Sequence, residues 1–351
     1  MTPSRSVALA FARQLGQIAF AGAGGLVFAL IGAPAAWVSG PVAAVALLCL
    51  MRRSVPVSMP IVDLAMLLGG MSMGAAATPE ALSAMGSYPA SLALLGLSIV
   101  AVIGMTALWL IRMSGWSWTD AVLGATPGAL STVIAVAADR GRNVGVIAVV
   151  QSFRLAVLVI LLPVAIVLMG NDMEIAPARE VMPPLPFALV IGASAVLGLV
   201  LRRINMAAPM LLGATVVSLV SHASGVVHGG LPAPVYTLAL VLIGTFVGSR
   251  FSTVDRRSLV ATLPAALGSL IVSFAVALIF AAASAQVAEV SLAAAVIAFA
   301  PGGLEVMAVL ALLLGLDPIF VGTHHLARFI LIGLFLPLLI GWIEKLSQRQ
   351  R

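Results

Sequence analysis

The sequence predicts an all-α polytopic membrane protein made of two related halves, and two observations support this prediction. Of its 351 residues, 62% are hydrophobic and only 9% are charged, whereas charged residues alone make up about a quarter of a soluble globular protein. In addition, helix-breaking residues recur at a constant offset: Pro127 and Pro301 are 174 positions apart. Lipid is therefore the expected solvent, and the two halves are expected to share one fold.

Two copies of one motif carry the repeat. The first reads Ala-Thr-Pro-Gly-Ala-Leu-Ser over 125–131, and the second reads Ala-Pro-Gly-Gly-Leu-Glu over 300–305. The other matched residues are also helix breakers or charges rather than the abundant Leu and Ala, which favours common descent over an accident of composition. The same offset pairs Gly70 with Gly244, Gly74 with Gly248, Gly141 with Gly315, Arg154 with Arg328, and Pro163 with Pro337.

Twelve apolar stretches approach the length of about 20 residues that a helix needs to cross a bilayer core. We place them at 14–31, 34–51, 58–76, 88–112, 119–138, 143–169, 185–201, 207–222, 232–249, 259–283, 288–313 and 317–343. The predicted organisation is a cytoplasmic N-terminus (1–13), a first membrane repeat (14–169), an external linker (170–184), a second membrane repeat (185–343) and a cytoplasmic tail (344–351).

The distribution of Lys and Arg predicts that the second repeat is inverted. If all twelve stretches crossed the membrane, the halves would be parallel and the positive charges would divide almost evenly between the two sides. If instead the fifth stretch of each half, which carries Pro-Gly, enters and returns to the same side, each half has five transmembrane helices. Of the 16 Lys and Arg residues in loops and tails, only Arg179 then lies outside, as the positive-inside rule requires. The alternative is that the Pro-Gly elements cross as discontinuous helices while one of the first two segments of each half lies flat.

Composition excludes several classes of function. The net charge of +6 reflects cytoplasmic Lys and Arg rather than a nucleic-acid partner. The single cysteine, Cys49, rules out an intramolecular disulfide. Four histidines and one distant cysteine do not form a Cu, Zn or Fe site, and no Gly-rich phosphate loop indicates the use of ATP. We therefore predict no cofactor and no enzymatic activity.

The Pro-Gly motifs are the predicted binding elements: Pro127, Gly128 and Ser131 in the first copy, and Pro301, Gly302, Gly303 and Glu305 in the second. Proline lacks an N–H group and suits the first turn of a helix, while glycine permits close approach of the backbone. Each motif should therefore present a helix N-terminus, whose unpaired N–H groups attract a carboxylate or another anion. The carbonyl groups opposite suit Na⁺.

Polar side chains inside apolar stretches are the other candidates. Arg154 and Arg328 lie too deep to reach water easily, and a buried arginine in lipid costs at least about 3 kcal/mol. One possibility is that they face the solute. The other is that they hydrogen-bond the carbonyl groups of the broken elements or pair with Glu305. Gln151 and His325 precede the arginines by one helical turn and share their faces. Glu305 is either a proton or cation site or the neutralising partner of Arg328.

Residues 15–343 resemble the AbrB-type membrane protein family, a duplicated family often labelled ammonia monooxygenase and distinct from the soluble DNA-binding regulator of the same name. The most specific parts are Pro301-Gly302-Gly303-Leu304-Glu305 and Pro127-Gly128-Ala129-Leu130-Ser131. More remotely, these elements are similar to the Pro-Gly-Gly stretches of inverted-repeat transporters such as the bile-acid and citrate symporters. That resemblance implies a core domain that moves against a scaffold, with solute and cation bound where the two broken elements meet. The first copy departs from the pattern at Ala129, which stands at the position of Gly303.

The sequence thus predicts a secondary transporter, coupled to Na⁺ or protons, for a small anionic organic solute. Two alternatives stay open: a membrane-bound ligand sensor or regulator that does not transport, and a membrane monooxygenase, which the family label suggests but the histidines do not support. The expected location is the plasma or inner membrane, with both termini in the cytoplasm. The expected partners are the lipid bilayer and the solute, and the sequence does not decide between a monomer and a homodimer.

Overall fold

The computed structural model of the chain describes residues 3–75, 88–170, 180–204, 206, 208–252 and 256–349. Within these ranges the chain is all-α, as predicted, and forms 14 helices. They are α1 (Pro3–Leu30), α2 (Ala36–Leu50), α3 (Met59–Ala75), α4 (Tyr88–Ser114), α5 (Trp118–Ala125), α6 (Leu130–Asp139), α7 (Val144–Leu168), α8 (Pro184–Arg203), α9 (Pro209–Ala223), α10 (Ala233–Ser249), α11 (Arg256–Val287), α12 (Leu292–Phe299), α13 (Leu304–Leu313) and α14 (Pro318–Arg349). Most of the predicted linker at 170–184 and the last residues of the predicted tail lie outside the described residues.

The internal repeat is visible in the helix boundaries. Both ends of α3, α5 and α6 recur 174 positions later as the ends of α10, α12 and α13. The local signals are repeated too: Ser117 and Ser291 cap α5 and α12, and each hydroxyl accepts a hydrogen bond from a backbone N–H three residues on, at 3.2 Å. Gly141 and Gly315 follow the ends of α6 and α13 in the left-handed conformation, with φ of 60° and 66°. Equivalent residues therefore produce equivalent helices in the two halves.

Five described helices are long and apolar enough to cross a membrane: α4, α7, α8, α11 and the 318–343 part of α14. A further four apolar helices, α2, α3, α9 and α10, have only 15 to 17 residues, short of the length of about 20 expected for a bilayer-spanning helix. The chain is thus a multi-pass membrane protein, and these four helices match the short apolar stretches of the sequence to within two residues at each end.

The helices form two compact units, each built from segments of both halves. Unit 1 comprises Met1–Leu82, Val159–Thr253 and Ala308–Ile319, and unit 2 comprises Ser83–Leu158, Val254–Met307 and Phe320–Arg351. In unit 1, α9 packs against α3 and α8, while α2 packs against α1 and α10. In unit 2, α11 packs against α4 and α12. Both Pro-Gly motifs, both buried arginines, Gln151 and His325 belong to unit 2.

Close packing of unit 1 depends on the repeated glycines, as their spacing predicts. A Cβ on Gly244 of α10 would lie 2.6 Å from the carbonyl oxygen of Val38 in α2. Its counterpart Gly70 in α3 makes the equivalent close contact with the carbonyl of Leu211 in α9. In both pairs, a helix with a closely packed glycine (α3 or α10) therefore packs against a short helix of the other half (α9 or α2).

Candidate functional site

The two Pro-Gly motifs interrupt their helices in the same way. The last hydrogen bonds of α5 and α12 run from Thr126 N–H to the Val122 carbonyl (3.0 Å) and from Ala300 N–H to the Val296 carbonyl (2.9 Å). The next residue is a proline, which has no N–H group to continue the pattern. The chain resumes a helix only at Leu130 and Leu304. Four residues at each break thus leave backbone groups without a helical partner.

The two breaks meet at glycine. Gly128 has a φ of +78°, a conformation that favours glycine. A Cβ built on it would lie 2.9 Å from the carbonyl oxygen of Gly302 and 3.0 Å from Nε of Arg328. The backbone of the first motif is therefore in direct contact with the second motif and its arginine, in agreement with the resemblance to inverted-repeat transporters.

The side chain of Arg154, which belongs to α7, reaches the C-terminal end of α5, where the first helix breaks. Its side chain is 1% exposed. Nη1 donates to the carbonyl of Ala125 at 3.3 Å and Nη2 to that of Thr126 at 3.0 Å. These carbonyls have lost their helical partners and form the negative end of the helix dipole, so a guanidinium stabilises them. The predicted hydrogen bonding to the broken element is present here.

Arg328 makes the equivalent contacts with backbone carbonyls at the second break, and it has further contacts with Gly302 and His325. It is 2% exposed, and Nη1 donates to the carbonyls of Ala300 (2.7 Å) and Phe299 (3.4 Å). Nη2 donates to the carbonyl of Gly302 at 3.0 Å and also contacts Nδ1 of His325. Arg328 therefore contacts the broken backbone on both sides of Pro301.

Gln151 and His325 each hydrogen-bond a backbone carbonyl of α5 or α12, one turn before the helix breaks. Gln151 Nε2 donates to the carbonyl of Leu123 at 2.9 Å, and His325 Nε2 lies 3.0 Å from the carbonyl of Ile297. Because a carbonyl only accepts, the imidazole hydrogen lies on Nε2 and leaves Nδ1 to accept from Arg328. Two different residue types thus make one repeated contact, and both side chains are buried, as predicted for a polar face shared with the arginines.

Each arginine has one buried donor nitrogen for which the described residues offer no hydrogen-bond partner. These atoms are Nε of Arg154 and Nε of Arg328. Both side chains also reach the first break, since Arg154 bonds to the Thr126 carbonyl and Arg328 lies beside Gly128. The side chains of Ser131 and Glu305 lie outside the described residues; their backbones begin α6 and α13. Pro127, Pro301, Gly302 and Gly303 are buried.

A second polar cluster in unit 2 has no counterpart in the repeat and was not predicted from the sequence. The Ser91 hydroxyl lies 2.5 Å from that of Ser284 and 2.6 Å from Nε2 of His324, while His324 Nδ1 lies 2.8 Å from the Phe320 carbonyl. All three side chains are fully buried. The cluster joins α4, α11 and α14, and His324 faces away from His325 as helical geometry requires.

The described residues contain no group of three or more His, Cys, Asp or Glu side chains placed to hold a metal ion. A groove of about 960 Å³ in unit 2 is bordered by apolar residues of α4 and α14 with Trp118 and Trp342. Such a lining suits lipid chains better than an anionic solute. The arginines at the two breaks are therefore the better candidates for solute binding.

Comparison with known proteins adds two findings. A protein-family model described as "Transition state regulatory protein AbrB" matches residues 37–344, a range that includes both Pro-Gly motifs. A protein of Bacillus subtilis (strain 168), described as uncharacterized protein YhjN, is 25% identical over 358 aligned residues, which cover 93% of this chain and 91% of the relative.

Proposed function

The chain belongs to the AbrB family of membrane proteins, and from that premise we propose that it is a secondary transporter of a small anionic organic solute. The main support is the pair of buried arginines at the two helix breaks, whose Nε–H groups have no hydrogen-bond partner among the described residues. A buried donor without a partner is unfavourable, and two like charges in an apolar protein increase the cost. An anion would relieve both.

A carboxylate fits these donors better than a neutral solute. A guanidinium offers paired N–H groups that match the two oxygens of a carboxylate. The first turns of α6 and α13, at Leu130 and Leu304, add free N–H groups and the positive ends of two helix dipoles. Because Pro127, Pro301, Gly302 and Gly303 are buried, we infer that the solute enters after a conformational change, as in alternating access.

The inverted arrangement of the two halves is supported by the end of α8. Arg202 at this end forms an ion pair with Asp63 near the start of α3. Gln17, in the middle of α1 and near the start of the apolar stretch 14–31, bonds to Val55, just before α3. The start of this stretch and the end of α8, the counterpart of α1, thus lie at the same end of unit 1. The proposed topology places this end in the cytoplasm, with both chain termini on that side of a plasma or inner membrane.

The re-entrant form of the first Pro-Gly element is supported by a second ion pair. Asp120 in the first turn of α5 and Arg142 just after α6 approach to 4.0 Å. At a rise of about 1.5 Å per residue, α5 and α6 in line would separate these positions by more than about 25 Å. The proximity of the two side chains favours an element that enters the membrane and returns to the same side.

The arginine contacts bear on the coupling ion. The carbonyls of Ala125, Thr126 and Ala300, which could bind Na⁺, instead accept hydrogen bonds from guanidinium groups. Arginine therefore supplies the positive charge that the sequence assigned to a bound cation. This favours proton coupling, with Glu305 as the proposed proton site, over Na⁺ coupling at these oxygens.

Counterflow in proteoliposomes tests the proposal. A panel of small mono- and dicarboxylates is first screened by thermal shift of the purified protein, and those that stabilise it are tested for exchange. Arg328→Ala and Pro301→Ala are expected to abolish exchange. The matched controls, Arg112→Ala at the exposed end of α4 and Pro337→Ala within α14, are expected to retain it. Undiminished exchange by Arg328→Ala and Pro301→Ala would remove the assigned site.

The same experiment separates the alternatives. Stabilisation by a carboxylate without any flux would indicate a ligand sensor instead of a transporter. Stoichiometric copper or iron in the purified protein would indicate a monooxygenase.

A further inference from the structure

The last turn of α9 carries a histidine whose two ring nitrogens both face backbone carbonyl oxygens. Nδ1 of His222 lies 2.7 Å from the carbonyl oxygen of Ser218, one turn earlier in the same helix, and Nε2 lies 2.9 Å from that of Gly229 in the loop that follows. The Ser218 hydroxyl also lies 3.3 Å from Nδ1, but it donates its own hydrogen to the Met71 carbonyl. These three neighbours of the imidazole are therefore all hydrogen-bond acceptors.

Such surroundings fit the protonated ring. A neutral imidazole has one N–H group and one lone pair, so it can bond to only one of the two carbonyls, whereas the imidazolium has two N–H groups and bonds to both. His222 also lies in the last turn of α9, where the helix dipole favours a positive charge. Loss of one proton would turn one of these hydrogen bonds into a contact between two lone pairs. The neutral ring could then no longer hold both the helix and the loop.

The loop that His222 holds is joined in turn to the chain before α8. The Gly230 N–H donates to the Glu180 carbonyl at 2.7 Å, and the Met182 N–H donates to the Gly230 carbonyl at 2.9 Å, so the two segments form a parallel β-bridge. A Cβ on Gly229 would lie 2.5 Å from the Glu180 carbonyl oxygen, so this close approach requires glycine. His222 therefore connects α9 to the end of the predicted linker between the two halves.

The first half holds the equivalent loop without a titratable group. Val55, 174 positions before Gly229, is bonded by Gln17 of α1 through both its N–H and its carbonyl. A glutamine amide offers a donor and an acceptor without gaining or losing a proton. The position equivalent to His222 is Leu48 in α2. The repeated fold therefore keeps this loop in place in both halves, but it does not require a histidine to do so.

Few charged groups belong to the elements around His222. α9 packs against α3 and α8, and neither the end of α3 (71–75) nor the start of α8 (184–190) contains a charged residue or a histidine. Among the described residues, the end of the linker contributes Glu180 and the loop contributes His228, and both side chains are exposed. His228 therefore provides a matched control for His222, because it is a histidine of the same loop without the two carbonyl contacts.

We propose that His222 is a proton-binding site that holds this loop against α9 at mildly acidic pH and releases it as the pH rises. The direction follows from the hydrogen bonds, since the second bond exists only while both ring nitrogens carry a hydrogen. Histidine side chains change charge between about pH 5 and pH 8. In the proposed topology this loop and the linker lie outside the cell, so the site would respond to external pH. The inference depends on contacts within unit 1 and not on the proposed transport activity.

Hydrogen exchange of the purified full-length protein in detergent tests the proposal. Exchange is measured at about pH 6 and about pH 8 for peptides that contain Met182 or Gly230, and each rate is divided by the intrinsic rate at that pH. In the wild type, protection of these amides is expected to be about tenfold higher at the lower pH, which corresponds to one charge-assisted hydrogen bond.

Three variants identify the histidine responsible. His222→Gln keeps one donor but does not titrate, so its protection is expected to be the same at both pH values. His222→Leu introduces the residue of the first half and is expected to give low protection at both. His228→Gln is expected to keep the wild-type difference. Peptides of α10 should be equally protected in every variant, which shows that each one is folded.

Four results would overturn the proposal. They are equal protection of the wild type at the two pH values, a pH difference that persists in His222→Gln, loss of the difference in His228→Gln, and protection of His222→Leu that equals that of the wild type at the lower pH.

Discussion

Gly128 and Gly302, one from each copy of the breaker motif, lie so close that a methyl group on Gly128 would be 2.9 Å from the Gly302 carbonyl oxygen. The same carbonyl accepts a hydrogen bond from Arg328. Neither helix break can therefore change its backbone without moving the other or the arginine between them. A contact of this kind links the two halves at the place where the chain is least helical.

Gly128→Ala is expected to impair stability and transport, although it adds only one methyl group. The left-handed conformation costs an L-residue about 1–2 kcal/mol, and the new methyl group would press on Gly302 and on Arg328. We expect a lower unfolding temperature in detergent and loss of the carboxylate counterflow. The matched control is Gly104→Ala in α4, where a Cβ would meet nothing within 4 Å; it should be neutral or slightly stabilising. Equal behaviour of the two variants would contradict the close contact of the motifs.

His325 should tolerate replacement by the residue that its repeat partner uses. His325→Gln keeps a donor for the Ile297 carbonyl, as Gln151 does for Leu123, so we expect little change in the unfolding temperature. His325→Leu leaves that carbonyl and one N–H of Arg328 without a partner, at a cost on the order of 1–3 kcal/mol. Unfolding followed in detergent measures both variants. A glutamine variant as unstable as the leucine variant would mean that the imidazole has a role beyond this hydrogen bond.

Lysine should not replace Arg328. The ammonium group keeps the charge but is a single point of donation, whereas the guanidinium reaches Phe299, Ala300 and Gly302 at once. We expect Arg328→Lys to lose on the order of 2 kcal/mol of stability and most of the counterflow. Arg154→Lys gives up contacts with only two carbonyls, those of Ala125 and Thr126, and should be milder. Full activity of Arg328→Lys would show that charge alone matters at this position.

Much of the fold could be predicted from the sequence because the helix ends depend on local chemistry. Pro127 and Pro301, each followed by glycine, stop a helix, whereas Pro163 and Pro337, which glycine does not follow, lie within helices. Ser117 and Ser291 start a helix, so the repeat in sequence becomes a repeat in structure. The same holds for α2, α3, α9 and α10, each of which ends within two residues of its predicted apolar stretch. Hydropathy stops at charged or turn-forming residues such as Arg52 and Arg250, where these helices also end.

The candidate site was predictable only in part, since contacts between distant residues decide it. The cost of burying Arg154 and Arg328 shows that each needs partners, but the sequence does not choose between a solute and the carbonyls of the broken helices. The cluster of Ser91, Ser284 and His324 joins residues 193 and 233 positions apart. It has no repeated counterpart, so neither spacing nor the offset of 174 gave any signal of it.

The orientation of the two halves can be tested by labelling single cysteines from each side of the membrane. Cys49, which is half-buried against the Gly248 carbonyl, is first replaced by alanine, and one cysteine is then introduced at Arg140, Glu180 or Arg257. All three residues are exposed. With an inverted second half and a re-entrant Pro-Gly element, a membrane-impermeant maleimide should label only Glu180→Cys in intact cells, and Arg140→Cys and Arg257→Cys only after permeabilisation. Parallel halves that cross at every apolar stretch require the opposite result at all three positions, because each half would then end on the side where it began.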